Sequence, residues 1–160
     1  GNALADVVFG AVNPSGKLPF TFPVRLEDNG AHALGEYPGS DKVKYNESIF
    51  VGYRWHDKEQ LKPLFAFGHG LSYTAFAEVV QLYIGDEQSS LPRPVKELKG
   101  FQKVSLNPGQ TRTVTFEITP GMLQYYDDAK GAWVAEPGAF TAYVGAASDD
   151  IRGTVEFELK

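Results

Sequence analysis

The chain has 160 residues, 42% of them hydrophobic, enough for one modest core or two small ones. A formal net charge of -5, with 15 Lys and Arg scattered along the chain, excludes nucleic acid and anionic membrane as partners, since both need a basic footprint. There are no cysteines, which excludes a disulfide framework, thiolate catalysis and zinc held by Cys, and no apolar run approaches the ~20 residues that span a bilayer.

From residue 2 to residue 9, Leu4, Val7 and Val8 recur at helical spacing, so the chain opens on a helix already under way and reads as a fragment. That helix is expected to end near Phe9, because Gly10 and then Asn13-Pro14-Ser15-Gly16 are turn signals. Residues 17–23 read as extended, with Pro19 suited to an edge. Residues 27–44 lack periodicity and predict a long surface loop. Residues 46–57 fit two patterns. Ile49, Phe50, Tyr53 and His56 fall at helical offsets behind an Asn46 cap, while Val51, Tyr53 and Trp55 would suit a strand; a short helix is favoured. Residues 64–74 predict a loop with buried aromatics, in which Gly68 and Gly70 permit positive φ.

From Ala77 the pattern changes to period two. Val80, Leu82 and Ile84 share one face, as do Val114, Phe116 and Ile118, then Phe140, Ala142 and Val144, and finally Val155, Phe157 and Leu159. Turns such as Asn107-Pro108-Gly109 and Glu136-Pro137-Gly138 separate these runs, which is the pattern of an immunoglobulin-like β-sandwich.

Six strings then carry a resemblance: GNALADVVFG (1–10), NPSGKLPFTFP (13–23), ESIFVGYR (47–54), LFAFGHGLSYT (64–74), RPVKELKGFQK (93–103) and WVAEPG (133–138). In this order they resemble the C-terminal part of family 3 glycoside hydrolases, the β-glucosidases and β-xylosidases, with Ala66 standing where the family usually has Pro. The resemblance implies an α+β fragment. Residues 1–76 would be the C-terminal portion of an α/β sandwich domain, and 77–160 an incomplete immunoglobulin/fibronectin type III-like β-sandwich. It also implies that the nucleophilic Asp and the acid/base Glu lie upstream, so that no catalytic residue belongs to this fragment. The partners implied are the upstream catalytic barrel and α/β sandwich, and a β-glucoside oligosaccharide in the full protein. Relatives place a few dozen residues, the first strands of the sandwich, where Ala75-Phe76-Ala77 joins the halves here. A sandwich short of two strands would expose an apolar face and an open edge, which leaves a homo-oligomer open.

The side chains offer few alternatives. Glu47 precedes an aromatic-rich run, but a first-turn carboxylate is favoured by the helix dipole without any catalysis. Asp127-Asp128 and Asp149-Asp150 fall in turns, with too few oxygens for calcium. His32, His56 and His69 lack metal-pair spacing, and no Gly-x-Ser-x-Gly elbow exists. No metal or cofactor is expected. Tyr53, Trp55 and His69 remain as candidates for sugar contact, against the plainer reading that Tyr53, Trp55, Phe65, Phe67 and Tyr73 are core. Tyr83, Tyr125, Tyr126, Trp133 and Tyr143 are expected to pack the sandwich and its interface. A periplasmic, secreted or cytoplasmic location is left open.

Overall fold

The computed structural model describes residues 1–73, 77–107 and 109–160, with 77 and 78 described by backbone alone. The expected direct junction at Ala75-Phe76-Ala77 therefore falls largely outside the described residues, as does Pro108 in the predicted turn. Among the described residues the chain is α+β: short helices and loops come first, then a four-stranded antiparallel sheet.

Helix α1 (Asn2–Val8) ends where expected, at Phe9, with Gly10 at φ 78°. None of its residues is buried, and Leu4, Val8 and Phe9 are exposed apolar groups. The extended 17–23 run makes one bridge, Phe22 to Phe65. The expected long loop is interrupted by a 3-10 turn (Leu26–Asp28) and helix α2 (Gly30–Ala33), capped by the Asn29 side chain, which accepts from the Ala31 N–H. Helix α3 (Tyr53–Lys58) begins later than the sequence suggests. Residues 46–50 form turns instead, and the Asn46 side chain bonds to Glu36 rather than capping a helix. Gly52, at φ 58°, sets the true start. The 64–73 loop is present, but Phe65 and Tyr73 are exposed, and only Gly68 of the two glycines takes a positive φ.

Strands β1 (Ala77–Asp86), β2 (Glu97–Ser105), β5 (Gly138–Ala147) and β6 (Asp150–Leu159) form the main sheet in the order β2-β1-β5-β6. Their apolar alternation follows the predicted faces: Ile84 pairs with Ala142 and Phe140 with Phe157, placing these side chains on one surface. On that surface Ile84, Leu123 and Phe140 form the core, with Ile118, Met122, Phe157 and Leu159 packed against it. Helix α4 (Pro120–Leu123) supplies Leu123, and a hairpin of β3 (Tyr125–Asp127) and β4 (Ala132–Val134) follows it.

Two expectations for the sandwich fail. Residues 111–118 keep the predicted alternation, with Val114, Phe116 and Ile118 half-buried, yet they pair with no described strand. Tyr126 and Trp133 do not pack the sandwich; they stand exposed on the hairpin as an edge-to-face pair with centroids 5.7 Å apart.

Candidate functional site: the dock between the two halves

The second face of the sheet, carrying Gln81, Tyr83 and Thr141, meets the first half of the chain. Helix α3 supplies most of the contact, because residues 53, 54 and 57 project from little more than one turn. Tyr53 stacks on Phe67 at 5.0 Å, meets Tyr83 edge-on at 5.9 Å, and its hydroxyl accepts from the Leu98 N–H at 3.0 Å. Arg54 donates to Glu97 at 2.8 Å, and Lys96 reaches back to Asp57 at 2.7 Å. Behind them, the buried Gln81 amide donates to the Gly68 and Ala146 carbonyls, at 3.3 and 2.6 Å, and its oxygen accepts from the Tyr83 hydroxyl. The Ser148 N–H closes the same seam on the Phe67 carbonyl.

Glu97 is the electrostatic centre of this dock. Burial works to raise its carboxyl, but Lys99, Arg93 and Arg54 surround it and hold it below the ordinary carboxylate range. Arg93 itself is bound to Asp86 at 2.8 Å and to Glu97 at 3.1 Å. Desolvation, and then the charges of Tyr53 and Asp57, push the Tyr83 phenol well up, so it stays a neutral donor. A lowered folded-state pKa means that the Glu97 contribution is full above the unfolded value of about 4.3 and disappears as pH falls through the lower folded value. Urea denaturation of wild type and Glu97→Gln between pH 7 and pH 2.5 checks this: the stability gap between them should narrow on the acid side, and a constant gap would contradict it.

The three candidate sugar contacts are not brought together on one surface. Tyr53 is a clamp inside the dock. Trp55 is only 5% exposed, turned into the first half beneath Gly30, where an added Cβ would stand 3.0 Å from its ring. His69 is half-buried, tilted against Phe65 at 5.4 Å, and its carbonyl accepts from the Leu18 N–H. A cleft of about 410 Å³ opens beside the dock, lined among others by Thr21, Tyr53, His56, Asp57, Lys62 and Asp149. No group of three or more His, Cys, Asp or Glu side chains among the described residues is placed to hold a metal. Among the described residues, every carboxyl whose titration the structure shifts is shifted down: Asp28 by Arg25, Glu97 as above, Asp127 by Lys130, Glu136 by Ser90 and Asp150 by Arg152.

The two sides of this dock correspond to two described protein domains. Residues 1–73 match the Glycosyl hydrolase family 3 C-terminal domain, and residues 78–148 match the Fibronectin type III-like domain. The chain belongs to glycosyl hydrolase family 3. Beta-glucosidase BoGH3A of Bacteroides ovatus is 49% identical over 193 residues, covering 99% of this chain and 26% of that protein. Thermostable beta-glucosidase B of Acetivibrio thermocellus is 44% identical over 94% of this chain and 24% of its own length. The crystal structure of beta-glucosidase from Kluyveromyces marxianus in complex with glucose matches at TM-score 0.93 and 38% identity, over 100% of this chain and 23% of that one. The family 3 chain thus spans about a quarter of the length of these relatives, and it is their C-terminal part. The BoGH3A alignment, at 193 residues, is longer than the whole 160-residue chain, so that relative carries residues with no counterpart here.

An interface between the two halves was expected, with Tyr83 named for it, but the ion pairs that build it were not. Its ion pairs join residues 43 and 39 positions apart, and no local pattern announces them. The only sequence signal was that Tyr53-Arg54 and Lys96-Glu97-Leu98 each fall within a family string.

Proposed function

We propose that this chain is the bracing C-terminal portion of a β-glucosidase, in which residues 1–76 complete an α/β sandwich domain and 77–160 form a fibronectin-like clamp. In the full protein, terminal β-D-glucosyl residues would be hydrolysed by a retaining two-carboxylate mechanism, with both carboxylates on polypeptide outside this chain. The observation that carries this reading is the dock. A set of ion pairs and stacked rings joins the two domains, and Glu97 at its centre is held below the ordinary carboxylate range by Lys99, Arg93 and Arg54. The acid of a retaining glycosidase needs a raised pKa and a second carboxyl about 5–5.5 Å away. Glu97 is neutralised by the cations around it, which suits it to holding and not to proton transfer. The exposed apolar groups of α1 (Leu4, Val8, Phe9) support the reading, since they offer a face for further chain to cover.

The exposed pair Tyr126–Trp133 favours a second reading, a carbohydrate-binding surface on the hairpin, because sugar faces stack on exposed rings. One experiment treats both. The 160-residue chain is incubated with an aryl β-glucoside and separately titrated with cello-oligosaccharides. The bracing reading expects no turnover above buffer, and measurable hydrolysis by the chain alone would overturn it. Saturable quenching that disappears in Trp133→Ala would establish the second reading; a flat titration would dismiss it.

A further inference from the structure

Residues 111–119 have the side-chain packing of a β-strand without its hydrogen bonds. Val114, Phe116 and Ile118 are half-buried, while Thr111, Thr113, Thr115, Glu117 and Thr119 are exposed. Phe116 lies over Gly100 of β2, 3.4 Å from where a Cβ would stand, and Ile118 packs against the core of Ile84, Leu123 and Phe140. The segment is therefore docked as part of a second layer. Yet no backbone hydrogen bond joins residues 111–118 to any described residue. Neither edge of the segment has a backbone partner among the described residues, and a neighbouring β-strand is what satisfies such N–H and C=O groups in full.

The layer around it is incomplete. Val155 lies opposite Ala142 in the register of β5 and β6, on the core-facing side, yet it is 66% exposed. The two family matches stop at residue 73 and resume at residue 78, while the BoGH3A alignment extends to 193 residues. Material that relatives carry has no counterpart in this chain.

We propose that the 111–119 segment pairs antiparallel with the same segment of a second copy of this chain, extending the second layer across a two-fold axis at Thr115. The sequence of the segment is compatible with itself in that register. Over 113–117, Val114 falls opposite the copy's Phe116 on the inner side and Thr113 opposite its Glu117 on the outer side, so apolar meets apolar and polar meets polar, while at each end of the pairing Arg112 falls opposite the copy's Ile118. A slip of one residue would break this match. The segment carries one Arg and one Glu, so its own charge is balanced and no like charges are opposed. It contains neither Pro nor Lys, the residues that usually blunt an edge, and Thr, Val and Ile predominate. Two-fold edge pairing is also a closed arrangement, which ends at the dimer.

The test is equilibrium sedimentation of the 160-residue chain over roughly 1 to 100 μM, with three variants. Wild type should shift from monomer to dimer within this range. Thr115→Pro removes the N–H at the axis, and should stay monomeric with an unchanged far-UV spectrum, because that group bonds to nothing described within one molecule. Thr115→Lys opposes two ammonium groups on the axis and should self-associate at least about tenfold more weakly. Mixing it with Thr115→Glu should restore dimers, now mixed. The mixture decides the matter even if the proline variant unfolds. Wild type remaining monomeric throughout overturns the proposal. So does dimerisation that none of the three changes weakens, or a Lys and Glu mixture no more dimeric than either alone.

Discussion

Replacing Arg93 with alanine is expected to destabilise this chain by about 3–5 kcal/mol, the usual cost of removing one partner from a buried ion pair. The guanidinium is 6% exposed and serves four elements at once. It donates to Asp86 at the end of β1, to Glu97 at the start of β2 and to the Leu123 carbonyl of α4, and it lies 5.4 Å from the Tyr125 ring of β3. Asp86 is 3% exposed, so without Arg93 its charge is stranded away from water. Glu97 suffers less, since Arg54 and Lys99 remain beside it. Arg93→Lys should recover only part of the loss, because a single ammonium cannot reproduce the planar fork that reaches two carboxylates and a carbonyl. The combined change Arg93→Met with Asp86→Leu should be more stable than Arg93→Ala alone, since it strands no charge. Urea denaturation of the four proteins measures each difference. A loss below about 1 kcal/mol for the alanine variant would show that water reaches this cluster after all.

Gly68→Ala is the second large effect, expected at about 2–4 kcal/mol from a strained backbone and a broken polar network. Gly68 sits at φ 81°, and a Cβ there would come within 2.4 Å of the Gln81 side-chain oxygen and 2.6 Å of its nitrogen. A flexible glutamine could ordinarily step aside. This one is 3% exposed and tied to the Gly68 and Ala146 carbonyls and the Tyr83 hydroxyl, so moving it leaves buried polar groups without partners. Adding Gln81→Ala to Gly68→Ala removes the collision but not the backbone strain, so the two changes should be non-additive. Thermal unfolding of the single and double variants checks this. Simple additivity, or a Gly68→Ala protein as stable as wild type, would show that the loop is free to move away from the sheet.

Much of the second half was legible because β1, β5 and β6 are half-buried strands, and burial on one face forces alternation at every second residue. Strand β2 was not, since its Lys99, Gly100 and Lys103 break the apolar pattern: Gly100 makes room for Phe116, and Lys99 is spent on Glu97. The 111–118 run shows the limit of such reasoning. Its alternation correctly encodes which side chains face inward, but periodicity carries no information about whether a neighbouring strand exists. In the first half, Tyr53 and His56 suggested a helix at the right place, yet only Gly52 at positive φ marks its start, and glycine alone does not reveal its φ. Trp55 was weighed as a sugar platform because exposure cannot be read from residue type; Gly30, 25 positions earlier, is what lets the ring be covered. The failure for Trp133 runs the other way, an aromatic expected inside that a three-residue hairpin strand leaves in water.

The dock has a bearing on how members of this family can be recombined. The ion pairs that cross it, Arg54 to Glu97 and Lys96 to Asp57, are confined to two short runs, 53–57 and 96–98, lying on either side of the junction between the domains. A chimera spliced between residues 73 and 78 would inherit one run from each parent, and would keep the ionic part of the coupling only if the parental runs happened to match in charge. Exchanging both runs together would carry the fit along with them, so the natural unit of shuffling in this part of the protein is the pair of runs and not either domain alone.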